Sequence, residues 1–311
     1  MPAVSILMAV SNGERYVEET IQSLRGQTLK DWELLVVDDG SEDDTPRLLA
    51  RIAEQEPRLS VTTQANAGLT ASLNRALASA SGTYVARIDV GDVARSDRLA
   101  LQKNFLDGHG DHVAVGSHLL WITPEGWPVA VYRCPLSHER IDAGHIAGHP
   151  GQMAHACLMM RRAALATVRG YREEFVVAQD YDLLLRLAEV GRLANVDDVL
   201  TKYRVDLAGV SSLRRDEQVR WVGEALQRAR KRRGLPQLDE PPRLRTFAHP
   251  SDVLLKWVTE AIESGYYSTA RRYAWRVLRC HPTLIALRLL LRAALEEARQ
   301  AASGNARVAQ W

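Results

Sequence analysis

The sequence predicts an α/β protein, in which a mostly parallel sheet is flanked by helices and followed by a C-terminal helical extension. Within the first ninety residues, four short apolar runs alternate with three stretches of helical spacing. Acidic residues directly follow two of those runs, and from about residue 217 the chain becomes helical and basic. Strands alternating with helices indicate a parallel sheet with right-handed crossovers, in which ligands bind beyond the carboxyl ends of the strands.

VSILMAV (4–10) is a short continuous apolar run, which is typical of a strand buried on both faces. The next three predicted strands are WELLVV (32–37), LSVTTQ (59–64) and TYVARI (83–88). Ser11 and Asn12 are predicted to cap the first helix. Thr45 and Pro46 are predicted as N-cap and first residue of the second helix. Leu69, Leu73 and Ala76 mark the third.

The middle of the chain does not continue the regular alternation of strands and helices. HVAVGSHLLWI and VAVYRCP are predicted strands around a turn, HACLMMRRAALATV is a strand that enters a helix, and RLANVDDVLTKYRV is a late strand. QDYDLLLRLAEVG predicts an amphipathic helix that turns its leucines inward and Asp182 to the surface, with Gly191 past its end. After the linker GLPQLDEPP, residues 251–302 predict helices with a tetratricopeptide-like hairpin, whose aromatic residues, including Trp257 and Trp275, form its core.

These patterns predict three segments. Residues 1–215 form one domain with a nucleotide-binding half (1–95) and an acceptor half (96–215), residues 216–250 form a basic helix and linker, and residues 251–311 form the helical extension.

The composition argues against some classes of function. The chain has 311 residues, 46% of them hydrophobic, and a net charge of +2, which does not suggest a nucleic-acid binder. Its three cysteines have no CxxC spacing and are predicted to be reduced, as in a cytoplasmic protein.

No apolar stretch reaches the roughly 18 residues of a membrane span. The basic run Arg228–Arg233 is the predicted place for peripheral contact with the inner face of a membrane.

Carboxylates follow two of the predicted strands at the point where each strand ends. Asp38 and Asp39 end the second strand, and Asp89 follows the fourth. Because the carboxyl ends of parallel strands meet at one edge of the sheet, we expect these side chains on a common rim.

Four motifs occur in a recognisable order: the opening stretch 4–45, DDGSEDDT (38–45), DVGD (89–92) and QDYDLLLRL (179–187). HACLMMRR and the closing KYRV match in position as well. Over roughly residues 3–212 the chain resembles family 2 glycosyltransferases, which have the Rossmann-like GT-A fold. The resemblance implies transfer of a sugar from a nucleotide diphosphate donor to an acceptor hydroxyl, with inversion at the anomeric carbon.

The resemblance also implies roles for individual residues. Asp39 would accept a hydrogen bond from the nucleotide base, Asp89 would lie near the ribose and pyrophosphate, and Asp180 would be the general base. The complete predicted set adds Ala9, Asn66, Arg75 and Arg87 on the donor side, and His155, Gln179 and Arg204 on the acceptor side.

Three positions depart from the family pattern. Gly91 stands where the metal-contacting aspartate is usual, Gln179 where glutamate precedes the base, and Asp206 where histidine follows YRV. Two compensations are open. Asp92 and Asp206 would hold Mn²⁺ or Mg²⁺, since both ions prefer oxygen ligands. Alternatively, Arg87, Arg95 or Arg204 would neutralise the diphosphate directly.

The leading hypothesis is an inverting glycosyltransferase of bacterial surface-glycan synthesis, such as that of lipopolysaccharide, capsule or exopolysaccharide. It would use a UDP-sugar and a glycan or lipid-linked acceptor. The alternative is a catalytically weakened sugar-nucleotide-binding partner subunit. An oxidoreductase is disfavoured, because AVSNGERY carries no GxGxxG turn for a dinucleotide.

Overall fold

The computed structural model describes residues 1–205, 215–238 and 250–302. Its described residues confirm the predicted α/β fold class: nine strands join in one sheet, helices pack against it, and further helices form the C-terminal part. The chain divides into two compact units. The described residues of unit 1 are 1–119, 133–201 and 215–238, and those of unit 2 are 120–132, 202–205 and 250–302.

The strand order in the sheet is β3-β2-β1-β4-β8-β6-β9-β5, with β7 paired to β6. Strands β1 to β4 pair in parallel, while β8 is antiparallel to both β4 and β6. The strands are β1 Val4–Val10, β2 Trp32–Asp39, β3 Leu59–Gln64, β4 Tyr84–Arg87, β5 Val93–Ala94, β6 His112–Ile122, β7 Pro128–Tyr132, β8 Met159–Arg161 and β9 Arg192–Arg204.

Helices connect these strands and follow them. They are α1 Val17–Arg25, α2 Thr45–Gln55, α3 Leu69–Ala78, α4 Arg98–Gly108, α5 His138–Ile146, α6 Arg162–Thr167, α7 Gln179–Leu187, α8 Arg215–Arg232, α9 Pro250–Glu263, α10 Tyr267–Cys280 and α11 Leu284–Ala302. Two 3-10 turns, Pro150–Gln152 and His155–Cys157, precede β8.

Strands β1, β2 and β4 are buried on both faces, which is why they are largely apolar without alternation, whereas β3, at the end of the strand order beside β2, is partly exposed. On β1, Ile6 and Met8 belong to a core cluster with α1 and α2, whereas Leu7 belongs to the opposite cluster with α3 and α7. Burial on both sides leaves only the strand ends accessible, so chemistry is confined to the loops there.

Several local predictions need correction. Helix α1 begins at Val17, well past Ser11 and Asn12, because the intervening loop bonds to residues 41–45 instead. Thr45 is the first residue of α2 and not its cap. The helix that carries Asp180 ends at Leu187, four residues before Gly191, and is buried on nearly every side. Asp182 was predicted on the surface but is fully buried.

Unit 2 has its own small core. Helices α9, α10 and α11 pack together with β7 around Trp257, Val258, Tyr273 and Ala293, and the Tyr273 hydroxyl donates to the Glu125 carboxylate over 2.6 Å. The predicted helical hairpin is therefore present. Trp257 is core, as predicted, but Trp275 is exposed.

The two units divide the chain differently from the predicted segments, whose boundaries stay a prediction. Helix α8 belongs to unit 1, where Val222, Leu226 and Ala229 pack against Phe175 and Leu185. Residues 120–132 belong to unit 2. None of the described helices is long and apolar enough to cross a membrane.

The basic run Arg228–Arg233 is engaged within unit 1. Arg228 pairs with Glu174 and Glu224. Arg232 pairs with Glu189, and Arg233 pairs with Asp142. Most of the predicted membrane-facing charge is thus neutralised by the protein itself, which removes the main reason for placing a membrane contact there.

Candidate active site

Asp39 is a buried carboxylate at the carboxyl end of β2. Its Oδ1 accepts hydrogen bonds from Gln64 Nε2 over 2.7 Å and from the Ala67 backbone over 2.8 Å, and its Oδ2 accepts from the Gly68 backbone over 2.9 Å. Burial alone would raise the pKa of Asp39, but these hydrogen bonds outweigh it and hold the pKa below its ordinary value. A carboxylate has about four acceptor positions, and besides these three bonds the Ser72 hydroxyl also lowers the pKa of Asp39.

The residues around Asp39 hold it in a fixed orientation. Gln64, opposite Asp39 in the sheet register, accepts a hydrogen bond from the exposed Arg75 over 3.0 Å while its amide donates to Asp39. Asn66 is exposed on the same loop. Gly40 has φ +69°, and a Cβ there would lie 2.8 Å from the Asn66 backbone nitrogen. The loop approaches β2 this closely because residue 40 has no side chain.

The rest of the acidic loop fastens a neighbouring loop. The Asn12 backbone donates to Ser41 Oγ, and the Gly13 backbone donates to Thr45 Oγ1. Asp38 is fully buried, and its Oδ1 accepts from the Ser41 backbone over 3.2 Å. Within DDGSEDDT, Asp39 thus faces the rim, and its neighbours shape the loops. Asp38 thus helps to hold the start of the acidic loop.

Asp89 follows β4 and is ion-paired to Arg87. The Arg87 guanidinium is completely buried and contacts Asp89 Oδ1 and the Ile88 carbonyl, while the Asp89 side chain is 37% exposed. Arg87 therefore does not present its charge to a ligand. It neutralises Asp89 from beneath.

The turn after Asp89 fixes Gly91 and Asp92 by backbone contacts. The buried Thr20 hydroxyl accepts from the Gly91 N–H over 2.9 Å and donates to the Asp92 carbonyl over 2.8 Å. Gly91 has φ +102°, which side chains rarely adopt. Asp92 is 2% exposed. Burial lowers the pKa of Arg98, and the negative charge of Asp92 opposes that lowering.

The described residues do not fit a divalent-metal site. Asp89 is already paired, Asp92 is buried beside a guanidinium, and Gly91 supplies no ligand. No group of three or more acidic, histidine or cysteine side chains with metal-binding geometry occurs in the part of the chain that the structure describes. Asp206, the second predicted ligand, lies outside the described residues.

Five side chains of unit 1 form what we call the Asp89–Asp180 cluster: Arg87, Asp89, His155, Tyr171 and Asp180. His155 Nε2 and the Tyr171 hydroxyl are 2.8 Å apart. Burial, with a further contribution from Arg87, lowers the pKa of His155 to about 4 against the opposing effect of Asp180 and Asp89. Burial likewise raises the pKa of Tyr171, and the same three charged groups act on it. Both rings are therefore neutral at pH 7 and lie within electrostatic reach of the two carboxylates.

Asp180 enters this cluster from the first turn of α7. The helix begins at Gln179, which is buried, and Ala178 precedes it with the left-handed angles φ 60° and ψ 20°. Asp180 is thus the second residue of the helix, where the helix dipole favours a carboxylate, and not its cap. A non-glycine residue in this conformation is strained, and such strain concentrates at functional sites.

Asp182 anchors the segment that carries Tyr171. Its carboxylate accepts from Arg186 Nε over 2.8 Å and from Arg172 over 3.2 Å. Arg186 also donates to the carbonyls of Val168 and Gly170. From α3, Asn74 Nδ2 donates to the Tyr171 carbonyl, and Asn74 Oδ1 accepts from the Tyr171 backbone nitrogen.

The remaining predicted residues lie elsewhere. Ala9 is near the end of β1, in register with Val37. Arg95 is paired with Asp97 and Asp198. Arg204, in unit 2, donates to the carbonyls of Thr123 and Pro124. The two carboxylates that pair with Arg95 are not members of the Asp89–Asp180 cluster.

Sequence reasoning missed three residues. Gln64 ends β3, and the strand-end rule that selected Asp39 would have selected it too. Tyr171 and Arg98 carry no comparable signal, since a buried tyrosine and a buried arginine cannot be told from surface ones by pattern alone.

Comparisons with known proteins agree with this geometry. The model of the family described as Glycosyl transferase family 2 matches residues 5–168. The chain is 35% identical to EpsE of Bacillus subtilis (strain 168), a protein whose name describes a glycosyltransferase, over 66% of this chain and 74% of EpsE. It is 29% identical to the amylovoran biosynthesis glycosyltransferase AmsE of Erwinia amylovora, over 64% of this chain and 75% of AmsE.

Solved structures share the fold. Staphylococcus aureus TarS 1–349 in complex with UDP-GlcNAc superposes with a TM-score of 0.55 at 18% identity, covering 96% of this chain and 92% of that one. The mannosyltransferase PcManGT of Pyrobaculum calidifontis, in complex with GDP-Man and Mn²⁺, has a TM-score of 0.54 at 19% identity, covering 98% and 76%.

Proposed function

The chain belongs to glycosyl transferase family 2 and is a glycosyltransferase, and we propose that it moves a sugar from a UDP-sugar to an acceptor hydroxyl with inversion at the anomeric carbon. The observation that carries the proposal is the Asp89–Asp180 cluster. The cluster combines Asp89, the carboxylate proposed for the donor side, with Asp180, a partly exposed carboxylate at the start of α7. The neutral rings of His155 and Tyr171 belong to the same cluster.

In the proposed reaction, Asp180 accepts the proton of the acceptor hydroxyl. The hydroxyl oxygen attacks the anomeric carbon from the face opposite the leaving group, and the bond to the nucleoside diphosphate breaks. A general base must lie within hydrogen-bond reach of the attacking hydroxyl and remain ionised. Asp180 lies in the first turn of α7 and is partly exposed, so an acceptor hydroxyl can approach it.

The donor proposal depends on Asp39. The family resemblance pairs this carboxylate with the nucleotide base, for which the imide N–H of uracil is a suitable donor, and the bonds from Gln64, Ala67 and Gly68 keep it ionised and oriented. The structural neighbour TarS was solved with UDP-GlcNAc, which supports a UDP-sugar, whereas PcManGT was solved with GDP-Man, so dTDP- and GDP-sugars belong in the same screen. Asn66 and Arg75 are the proposed flanking contacts.

We propose a glycan or lipid-linked acceptor of bacterial surface-glycan synthesis, by analogy with AmsE. His155 and Gln179 are the proposed acceptor-side residues, and Arg204 is retained there from the family pattern. No step is assigned to a metal, because the described residues do not fit one. The two compensations predicted from the sequence, a metal held by Asp92 and Asp206 or direct neutralisation of the diphosphate by arginines, both stay predictions.

The test is donor turnover. The full chain is incubated with a panel of UDP-, dTDP- and GDP-sugars, with release of free nucleotide measured in each case and the anomeric configuration of the product determined by NMR. Asp180→Asn should abolish turnover while nucleotide affinity is unchanged. Asp111→Asn, at an exposed aspartate outside the cluster, is the matched control and should be fully active. Nucleotide binding without turnover, and with no effect of Asp180→Asn, would instead support the partner-subunit alternative.

A further inference from the structure

Helix α11 carries an exposed apolar stripe. Leu284, Leu287, Leu291 and Leu295 recur at spacings of three and four residues, and each is between 40% and 73% exposed. Ala286 and Ala293 are completely buried and mark the opposite side, which packs into the core of unit 2. With 3.6 residues per turn, the four leucines lie on one face over about 16 Å of helix.

The exposed charge beside this stripe is positive. Helix α11 contains three arginines and two glutamates. Both glutamates are paired, Glu296 with Arg299 and Glu297 with Arg271. Arg288 and Arg292, which flank the leucines, are exposed and form no ion pair among the described residues.

Such a face suits one kind of partner in particular. A bilayer with anionic headgroups provides negative charge to the flanking arginines and an apolar layer to the leucines, as for helices that lie in the membrane interface. A second copy of the same face would instead bring Arg288 and Arg292 of both copies together, and no acidic side chain of α11 lies on the stripe to compensate them.

We propose that the α11 stripe, Leu284, Leu287, Leu291 and Leu295 with Arg288 and Arg292, docks on an anionic membrane surface. This replaces the contact predicted for Arg228–Arg233, whose charges are largely paired within unit 1. The proposal concerns where the enzyme works and does not depend on which sugar it transfers.

Sedimentation with vesicles tests the proposal without any donor or acceptor. The full chain should bind vesicles of equal parts phosphatidylglycerol and phosphatidylcholine, and should bind pure phosphatidylcholine much more weakly. Added salt should reduce binding, because it screens the attraction. Leu287→Ser/Leu291→Ser and Arg288→Glu/Arg292→Glu should each lower the bound fraction at least severalfold. Both pairs are exposed, and circular dichroism should show that the folds are intact.

Two control variants separate this surface from general stickiness. Val190→Ser removes an exposed aliphatic side chain of unit 1, and Lys231→Glu reverses an exposed charge inside Arg228–Arg233. Neither should change vesicle binding. The proposal is overturned if the protein binds neither kind of vesicle, if Lys231→Glu lowers binding as much as the α11 variants do, or if light scattering shows a dimer that Leu287→Ser/Leu291→Ser dissociates.

Discussion

The guanidinium of Arg98 donates to the backbone carbonyl of Arg87 over 2.6 Å, although both side chains are completely buried. Two arginines therefore lie beneath the turn that carries Asp89 and Asp92. Arg87 pairs with Asp89, and Arg98 lies near Asp92. A buried charge persists only when it is compensated, so the two cations and the two carboxylates of this turn stabilise one another.

This balance predicts that nucleotide binding does not need a divalent cation. UDP affinity, measured by calorimetry in excess EDTA and then with Mn²⁺, should be the same within error, because Asp89 is already paired with Arg87 and Gly91 supplies no ligand. Asp92→Ala serves as the paired variant. If Mn²⁺ tightens UDP binding and Asp92→Ala abolishes the gain, Asp92 holds the ion and the prediction is wrong.

Restoring the usual aspartate at position 91 should not restore a metal site. Gly91→Asp places a side chain at φ +102°, and backbone strain of this kind costs about 1–3 kcal/mol. Urea denaturation should show this loss equally for Gly91→Ala, since the strain arises at the backbone. Gly108→Ala, at the end of α4 where a Cβ meets nothing within 4 Å, is the control and should not be destabilised. A stable Gly91→Asp protein with new Mn²⁺ dependence would contradict the prediction.

The sequence predicted the parallel half of the fold well, for a physical reason. Strands β1, β2 and β4 are short, largely apolar and buried, β3 is more polar and more exposed, and the helices between them have one apolar face, so β1 to β4 and α1 to α3 were identified from the sequence pattern. Asp39 and Asp89 followed from the rule that strand ends meet at one edge. Helices α4 and α5 were not predicted, since neither has a marked apolar stripe.

Burial of polar groups could not be predicted in the same way. Arg87 was expected to face the donor and Asp182 to face solvent, yet both are fully buried. Each depends on a partner that the fold supplies, Asp89 for Arg87 and Arg186 for Asp182. No periodicity distinguishes a paired buried charge from a solvated one, because the partner is identified only when the chain is folded.

The His155–Tyr171 contact should affect catalysis more than binding. Tyr171→Phe removes the partner of His155 Nε2, and the loss of such a hydrogen bond is worth about 1 kcal/mol, so we expect kcat to fall several-fold with KM for the donor unchanged. Tyr84→Phe is the control, since its hydroxyl is bonded to Asp107 outside the cluster. Equal losses of kcat in both variants would indicate a general packing effect.

The Asp182–Arg186 pair should be important for stability. Asp182→Asn leaves the buried Arg186 without a full counter-charge, which costs about 3–5 kcal/mol when one partner of a buried pair is removed. The exposed pair Glu224–Arg228 has the same i,i+4 spacing, and Glu224→Gln should cost about 0.5 kcal/mol or less. Urea denaturation of the two variants measures the difference directly, and similar losses would argue against a structural role for the buried pair.

His145 should make the protein sensitive to acid. It is completely buried against Tyr181, and burial lowers its pKa from 6.5 to about 4. The unfolded chain takes up the proton below pH 6.5 and the folded chain only near pH 4, so stability is greatest above pH 6.5 and falls as the pH approaches 4. The shift corresponds to a loss of about 3 kcal/mol. In urea denaturation between pH 7.5 and 4.5, His145→Leu should show a shallower decline than the wild type. If the two declines are parallel, His145 does not titrate in this window, and the acid sensitivity arises elsewhere, with His155 the next residue to replace.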